Sequence, residues 1–151
     1  MHRIVIAACA ALLATAAWAQ KSPSGNVAFD NLDKNRDGFL SKEEVAGEKE
    51  LAKRFARFDR NKDGRWTLDD YIKANKDNDE RISADTAITT KVKTKFLTEQ
   101  GIPSTKISVE TYEGTVTLTG TVDNRDQVAN AAKVAAGVSG VKKVENRLAA
   151  K

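Results

Sequence analysis

Residues 33–44 read DKNRDGFLSKEE. Oxygen-bearing side chains stand at alternate positions, Asp33, Asn35 and Asp37, with Gly38 directly after them and Glu44 closing the stretch. This is the pattern D-x-[DN]-x-[DN]-G-x5-E, complete at each defined position. The spacing has a chemical reason. Ca2+ takes roughly six to eight oxygens in a flexible cage. Asp33, Asn35 and Asp37 supply side-chain oxygens, and Gly38 supplies the sharp turn that wraps the chain round the ion. Phe39 lends a backbone carbonyl, Ser41 a hydroxyl or a bridging water, and Glu44 two carboxylate oxygens. A chance match in a chain of this length is on the order of one in a few thousand at ordinary residue frequencies. The pattern also repeats, which rules against an accidental Asx-rich turn. Residues 59–70 read DRNKDGRWTLDD, with Asp59, Asn61, Asp63 and Gly64 in register, Arg65 at the carbonyl position and Thr67 two residues on. Asp70 closes this copy in place of Glu, and the shorter side chain makes two-oxygen reach harder. Weaker Ca2+ binding there, or tolerance of Mg2+, is expected.

The flanks repeat as well. Phe29 and Leu32 stand four and one before Asp33, and Phe55 and Phe58 stand four and one before Asp59. Leu51, Phe55 and Phe58 share one helical face. Residues 27–74 therefore resemble a tandem EF-hand, which implies up to two bound Ca2+. The stretch NKDNDERISADT, 75–86, reads as a third, decayed copy: Asn75, Asp77 and Asp79 keep the spacing, but Glu80 replaces the Gly and Thr86 the terminal Glu. Such a loop binds Ca2+ poorly, and the alternative is a polar connector. Residues 27–84 are assigned to this all-α region, and calcium occupancy is expected to reach the second half through the third loop. Trp66 is expected to face the paired loop. Met1 is the only Met, so there is no Met-rich groove for capturing target helices.

Beyond residue 84 the punctuation changes. Asp85 is placed to cap a helix in which Ile88, Val92 and Phe96 recur every four residues, with Gly101 and Pro103 ending it. Ile107, Val109 and Thr111 alternate with polar residues, Glu113-Gly114 turns the chain, and Val116, Leu118 and Gly120 alternate on the return. A second helix follows Asp123, with Val128, Ala131, Ala132 and Ala135 inward and Gly137 at its end. Gly140-Val141 leads a last strand in which Val144, Asn146 and Leu148 share a face.

That αββαβ order and the string VTLTGTVDNRDQVANAAKVAAGVSGVKKVENRL resemble the BON domain, of the exported bacterial osmotically-inducible-protein type, over residues 85–149. Gly120, Gly140 and Val141 match the family's glycines and valine, which serve folding rather than catalysis. The resemblance implies association with phospholipid surfaces and envelope maintenance, and for some members a chaperone-like role. Most relatives with those roles carry two copies; this chain carries one. Lys91, Lys93, Lys95, Lys142 and Lys143 are the residues placed to meet anionic headgroups. Each is worth about 1 kcal/mol at such a surface and is screened by salt.

The expected fold class is thus α+β, an all-α calcium-binding region followed by an αββαβ module, after a removed leader. Residues 1–19 read as a secretory signal peptide: basic Arg3, an apolar run from Ile4 to Ala17, and the small-x-small site Ala17-Trp18-Ala19, with cleavage after Ala19. The only His and the only Cys, His2 and Cys9, leave with it. The remaining chain holds no Ser-His-Asp or Cys-His pair and no His/Cys zinc site. An enzyme is not expected, because each clustered carboxylate already has a place in a calcium loop. No transmembrane span is expected in the mature chain, and no nucleic-acid binding, since basic and aromatic residues are not interleaved. The leading reading is a non-enzymatic periplasmic calcium-binding protein whose second half engages envelope phospholipid or protein. The alternative is a soluble osmotic or envelope-stress protein with a chaperone-like role and purely structural calcium.

Overall fold

The structure, a computed structural model, describes residues 24–151. The signal-peptide assignment, 1–19, lies outside the described residues. The fold is α+β. Its first half is two short helix-loop-helix units. Helix α1 (Val27–Leu32) starts on Asn26, whose side chain accepts from the Phe29 N–H, and runs into the first loop. Strand β1 (Leu40–Ser41) and helix α2 (Lys42–Val45) follow, joined by a reciprocal cap between Ser41 and Glu44. Helix α3 (Lys49–Phe58) enters the second loop, and strand β2 (Arg65–Trp66) and helix α4 (Leu68–Thr98) leave it. β1 and β2 pair antiparallel, Leu40 opposite Trp66 and Ser41 opposite Arg65, so the loops lie back to back. Phe29, Leu40, Val45, Leu51, Phe55, Trp66, Tyr71 and Ala74 form the core beneath them.

Trp66 corrects one expectation. Its backbone pairs with the other loop, but its ring is fully buried and stacks on Phe55 at 4.8 Å between centroids. Its indole N–H donates to the Phe55 carbonyl at 3.0 Å. The large apolar ring gains more from the core than from the wet loop surface.

The second correction is larger. Residues 75–86 do not form a decayed loop; they lie inside α4, which runs unbroken for 31 residues. The physical reason is the missing glycine. Both true loops turn through left-handed backbone at their glycines, Gly38 (φ 80°) and Gly64 (φ 79°), and Glu80 stands at the equivalent place. With neither Gly nor Pro in 75–86 the helix continues, supported by pairs one turn apart: Asn75 to the Tyr71 carbonyl, Lys76 with Glu80, and Arg81 with Asp85. Asp77 is spent on Arg54 and Arg57 of α3. Asp85 is accordingly no helix cap but a buried residue in mid-helix.

After α4, a single 3-10 turn (Ser104–Lys106) leads into strands β3 (Ile107–Tyr112) and β4 (Thr115–Val122), helix α5 (Arg125–Ala136) and strand β5 (Lys143–Ala150). The sheet order is β3-β4-β5, with β3 and β4 antiparallel and β4 and β5 parallel across the α5 crossover. Ile88, Val92 and Phe96 of α4 and Ala131 and Ala135 of α5 close over Val109, Val116, Leu118 and Val122 of the sheet. The alanines keep α5 close to the strands. Gly120 is obligatory: at φ 135°, a Cβ there would lie 2.1 Å from the Lys106 carbonyl oxygen.

Candidate functional site

The two loops share one backbone shape. Each has a left-handed residue two before its left-handed glycine, Arg36 (φ 59°) before Gly38 and Lys62 (φ 57°) before Gly64. Non-glycine residues adopt this conformation at a cost of order 1–3 kcal/mol, and it persists where surrounding bonds over-determine it. In the first loop those bonds are visible. Buried Asp33 accepts from the N–H of Asp37 (3.2 Å) and of Gly38 (2.9 Å). Asn35 accepts from the Asp37 N–H, and Asp37 from the Phe39 N–H, both at 2.9 Å. Glu44 reaches back across the loop: one oxygen accepts from the N–H of Lys34 (2.9 Å) and Asn35 (3.3 Å), the other from the N–H and hydroxyl of Ser41. Burial alone would raise the Glu44 carboxyl. The hydrogen bonds from Ser41, Asn35 and Lys34 outweigh it and hold the group below its ordinary value, ready as an anionic ligand.

The second loop keeps the shape without the closure. Asp59 accepts from the Gly64 N–H at 3.1 Å, and Asp63 from the Asn61 amide and the Arg65 N–H at 2.9 Å each. Asp70 is held locally, one oxygen accepting from the Thr67 N–H (3.1 Å) and hydroxyl (2.7 Å). The missing methylene shows: Glu44 ties its loop's exit to its entrance, and Asp70 caps only its own helix. The other Asp59 oxygen is buried without a hydrogen-bond partner. A carboxylate oxygen pays heavily for such isolation unless a cation compensates it.

Among the described residues no three His, Cys, Asp or Glu side chains converge on one point as a ready metal cluster. In the first loop Asp33, Asp37 and Glu44 are turned onto backbone N–H groups instead. The donor set still fits a hard cation, since every side chain offered by Asp33, Asn35, Asp37, Ser41 and Glu44, and by Asp59, Asn61, Asp63, Thr67 and Asp70, presents oxygen. Phe39 and Arg65 could offer only their backbone carbonyls to such an ion. The Arg65 guanidinium stacks over the Phe39 ring at 5.5 Å, bridging the two loops.

The basic residues expected to meet lipid do not form one patch. Lys91 and Lys95 rim a mostly apolar groove of about 530 Å3 between α4 and the end of α5, lined also by Thr94, Thr98 and Val138. Lys93 lies elsewhere on α4, beside Phe96, Leu97 and Ile107. Lys142 lies against Gly114, and Lys143 is paired with Glu145 at 3.0 Å. A stride of two on a helix turns a side chain through about 200°, to the opposite side, which is why Lys93 parts from its neighbours.

Sequence reasoning missed the junction between the halves. Glu50 of α3 is bonded to Lys53 (2.9 Å), to Arg54 (3.3 Å) and to the Tyr112 hydroxyl (3.1 Å) at the end of β3. The hydrogen bond from Lys53 is the largest influence on the Glu50 carboxyl; burial opposes it, and with the added bonds from Tyr112 and Arg54 the group is taken down to about 2. Lys53 and Arg81 both lie 4.8 Å from the Tyr112 ring centre. Asp85 accepts from the N–H of Glu113 and of Gly114, each at 2.9 Å, and pairs with Arg81 at 3.0 Å. The one signal available was a lone carboxylate on the stripe of Ile88, Val92 and Phe96.

Comparison with known proteins finds a match in each half. Residues 84–151 match the BON domain family and residues 27–46 match the EF hand. Residues 84–151 are a BON domain. Osmotically-inducible protein Y of Escherichia coli (strain K12) is 44% identical over 69 residues, which is 46% of this chain and 34% of that protein. The matched stretch is thus about a third of the relative's length. The start of the BON domain falls inside α4, so the helix that leaves the second loop runs on into that domain. No helix among the described residues is long and apolar enough to cross a membrane.

Proposed function

We propose that this chain is a non-enzymatic, calcium-binding periplasmic protein whose BON domain associates with anionic phospholipid of the envelope. The paired loops carry the calcium part of the reading. Two copies of one oxygen-rich loop, with the same left-handed turns, are held back to back by the Leu40–Trp66 pair. Asp33, Asn35, Asp37, Ser41 and Glu44 would hold one ion with the Phe39 carbonyl; Asp59, Asn61, Asp63, Thr67 and Asp70 a second with that of Arg65. Bound Ca2+ supplies the positive charge that the clustered carboxylates lack, and Mg2+ can replace it at the second loop. The lipid part rests on the apolar groove rimmed by Lys91 and Lys95, which offers cations at the mouth of a surface suited to acyl chains. Export follows from the leader, with cleavage after Ala19.

Co-sedimentation with phosphatidylglycerol vesicles, with and without Ca2+, tests the reading. Binding that falls with salt and with Lys91→Glu plus Lys95→Glu is expected. Equal pelleting of the unmodified and doubly substituted proteins refutes the groove. The dispersal of Lys93, Lys142 and Lys143 favours a second reading, a soluble osmotic or envelope-stress protein with structural calcium and a chaperone-like role. That reading gains if vesicles never pellet the protein while Ca2+ raises its melting temperature.

A further inference from the structure

Helices α3 and α4 flank the second loop, and each reaches the BON domain differently. α4 is continuous with it: the helix that carries Asp70 in its first turn carries Val92 and Phe96 in the domain core, about 46 Å of one element. α3 reaches the domain through side chains. Lys53 donates to the Tyr112 hydroxyl at 2.9 Å, and that hydroxyl donates to Glu50 at 3.1 Å. The hairpin that bears Tyr112 is itself pinned to α4 by Asp85. A rotation of α3 against α4 therefore cannot be absorbed in the hairpin. It would strain the contact at Tyr112, alongside the pairs of Arg54 and Arg57 with Asp77.

The second loop supplies the reason for such a rotation. Its exit carboxylate, Asp70, stays in its own cap, while a buried oxygen of Asp59 has no partner. The first loop shows the closed arrangement, with Glu44 tied back to Lys34. Bringing Asp70 toward Asp59 draws the start of α4 toward the end of α3. With no Gly or Pro between Leu68 and Thr98, α4 passes that motion on whole.

We propose that Glu50, Lys53 and Tyr112 form a latch that holds the second loop open, so that closure of that loop on Ca2+ and engagement of Tyr112 oppose one another. The two states are latched with the loop open and unlatched with the loop closed. Linkage is reciprocal: what the latch costs the cation, the cation costs the latch. The inference rests on the calcium reading above and goes beyond it, making the second loop a regulated site that speaks to an exposed hairpin of the BON domain.

The test is a CaCl2 titration of the intact 15N-labelled chain by NMR. The amides of Gly38 and Gly64 report the two loops separately, and that of Gly114 reports the hairpin. Tyr112→Ala is expected to lower the Gly64 midpoint threefold or more while Gly38 moves less than twofold. Lys53→Met is expected to lower it by a smaller factor. In the unmodified chain Gly114 should shift with the Gly64 midpoint. Tyr112 is 40% exposed, so its loss spares both cores; if Tyr112→Ala nevertheless loses dispersion in 107–122, Lys53→Met decides. If Gly38 and Gly64 both ignore millimolar CaCl2, the calcium reading fails and the latch with it. If both respond but the Gly64 midpoint is unchanged or raised in the variants, or Gly114 stays still, the latch alone is overturned.

Discussion

Asp85→Ala should be among the most damaging polar substitutions in this protein. The Asp85 side chain holds the tip of the β3-β4 hairpin against α4 through two N–H donors, Glu113 and Gly114, and takes Arg81 as a third partner. Gly114 is buried, so removing the carboxylate leaves its N–H unsatisfied, at about 1–3 kcal/mol. Glu113 is an exposed residue whose part-buried N–H bond can be exchanged for water, and Arg81 keeps Glu50 and Asn78, so these two losses add under about 1 kcal/mol each. Relief of a buried charge offsets part of the total, and bonds that share one carboxylate do not add. The expected loss is about 2–3 kcal/mol. For a domain of this size that is roughly 10–20 °C in Tm. The hairpin tip turns through left-handed backbone at Glu113 and Gly114 (φ 50° and 79°), and its remaining anchor is the Lys142 N–H, which donates to the Gly114 carbonyl at 2.9 Å. Asp85→Asn should recover at most half, because one amide arm sets a donor against a donor. Urea denaturation followed by far-UV circular dichroism gives the stability, and amide exchange at Gly114 gives the local effect. A loss under about 0.5 kcal/mol for Asp85→Ala would refute the anchoring argument.

Gly120→Ala should abolish folding of the BON half, because the Lys106 carbonyl sits where the methyl must go; a cooperative melt near that of the unmodified protein would contradict this. Asp70→Glu should tighten the second loop by restoring the reach of Glu44, and Glu44→Gln should weaken the first, both read by calorimetry. The Glu50 carboxyl is depressed from 4.5 to about 2 in the folded protein, so its contribution to stability is complete above pH 4.5 and lost as pH falls toward 2. Glu50→Gln should therefore flatten that part of the acid limb in a denaturation series, and an unchanged limb would count against the ion pairs at the junction.

Legibility in the sequence followed distance along the chain. The shape of the two loops was readable because twelve consecutive residues hold each motif, and the structure gives both stretches the same left-handed turns. The order of the second half was readable because its periods switch cleanly between helix and strand. The third loop was misread for a local reason as well: its aspartates keep a loop's rhythm, yet helix and loop there differ by one glycine, and Glu80 is not one. Asp85 and the Tyr112 contact were out of reach for the opposite reason. Glu50 and Tyr112 are 62 residues apart, and nothing in either neighbourhood refers to the other.

The shared helix explains why the two halves are better regarded as one mechanical unit. A helix-loop-helix pair with a core of eight buried residues is near the lower limit of what folds unaided. Its last helix need not stand on that core alone, because the far end of α4 is fixed by Ile88, Val92 and Phe96 in a second core. Each turn of α4 between Ala74 and Ile88 is consequently held from both ends. Its polar residues there face α3 through Asp77 and the hairpin through Asp85. The stretch that looked like a worn-out calcium loop is thus the strut on which both modules bear. Asp77 and Asp85 within it serve ion pairs and backbone N–H groups.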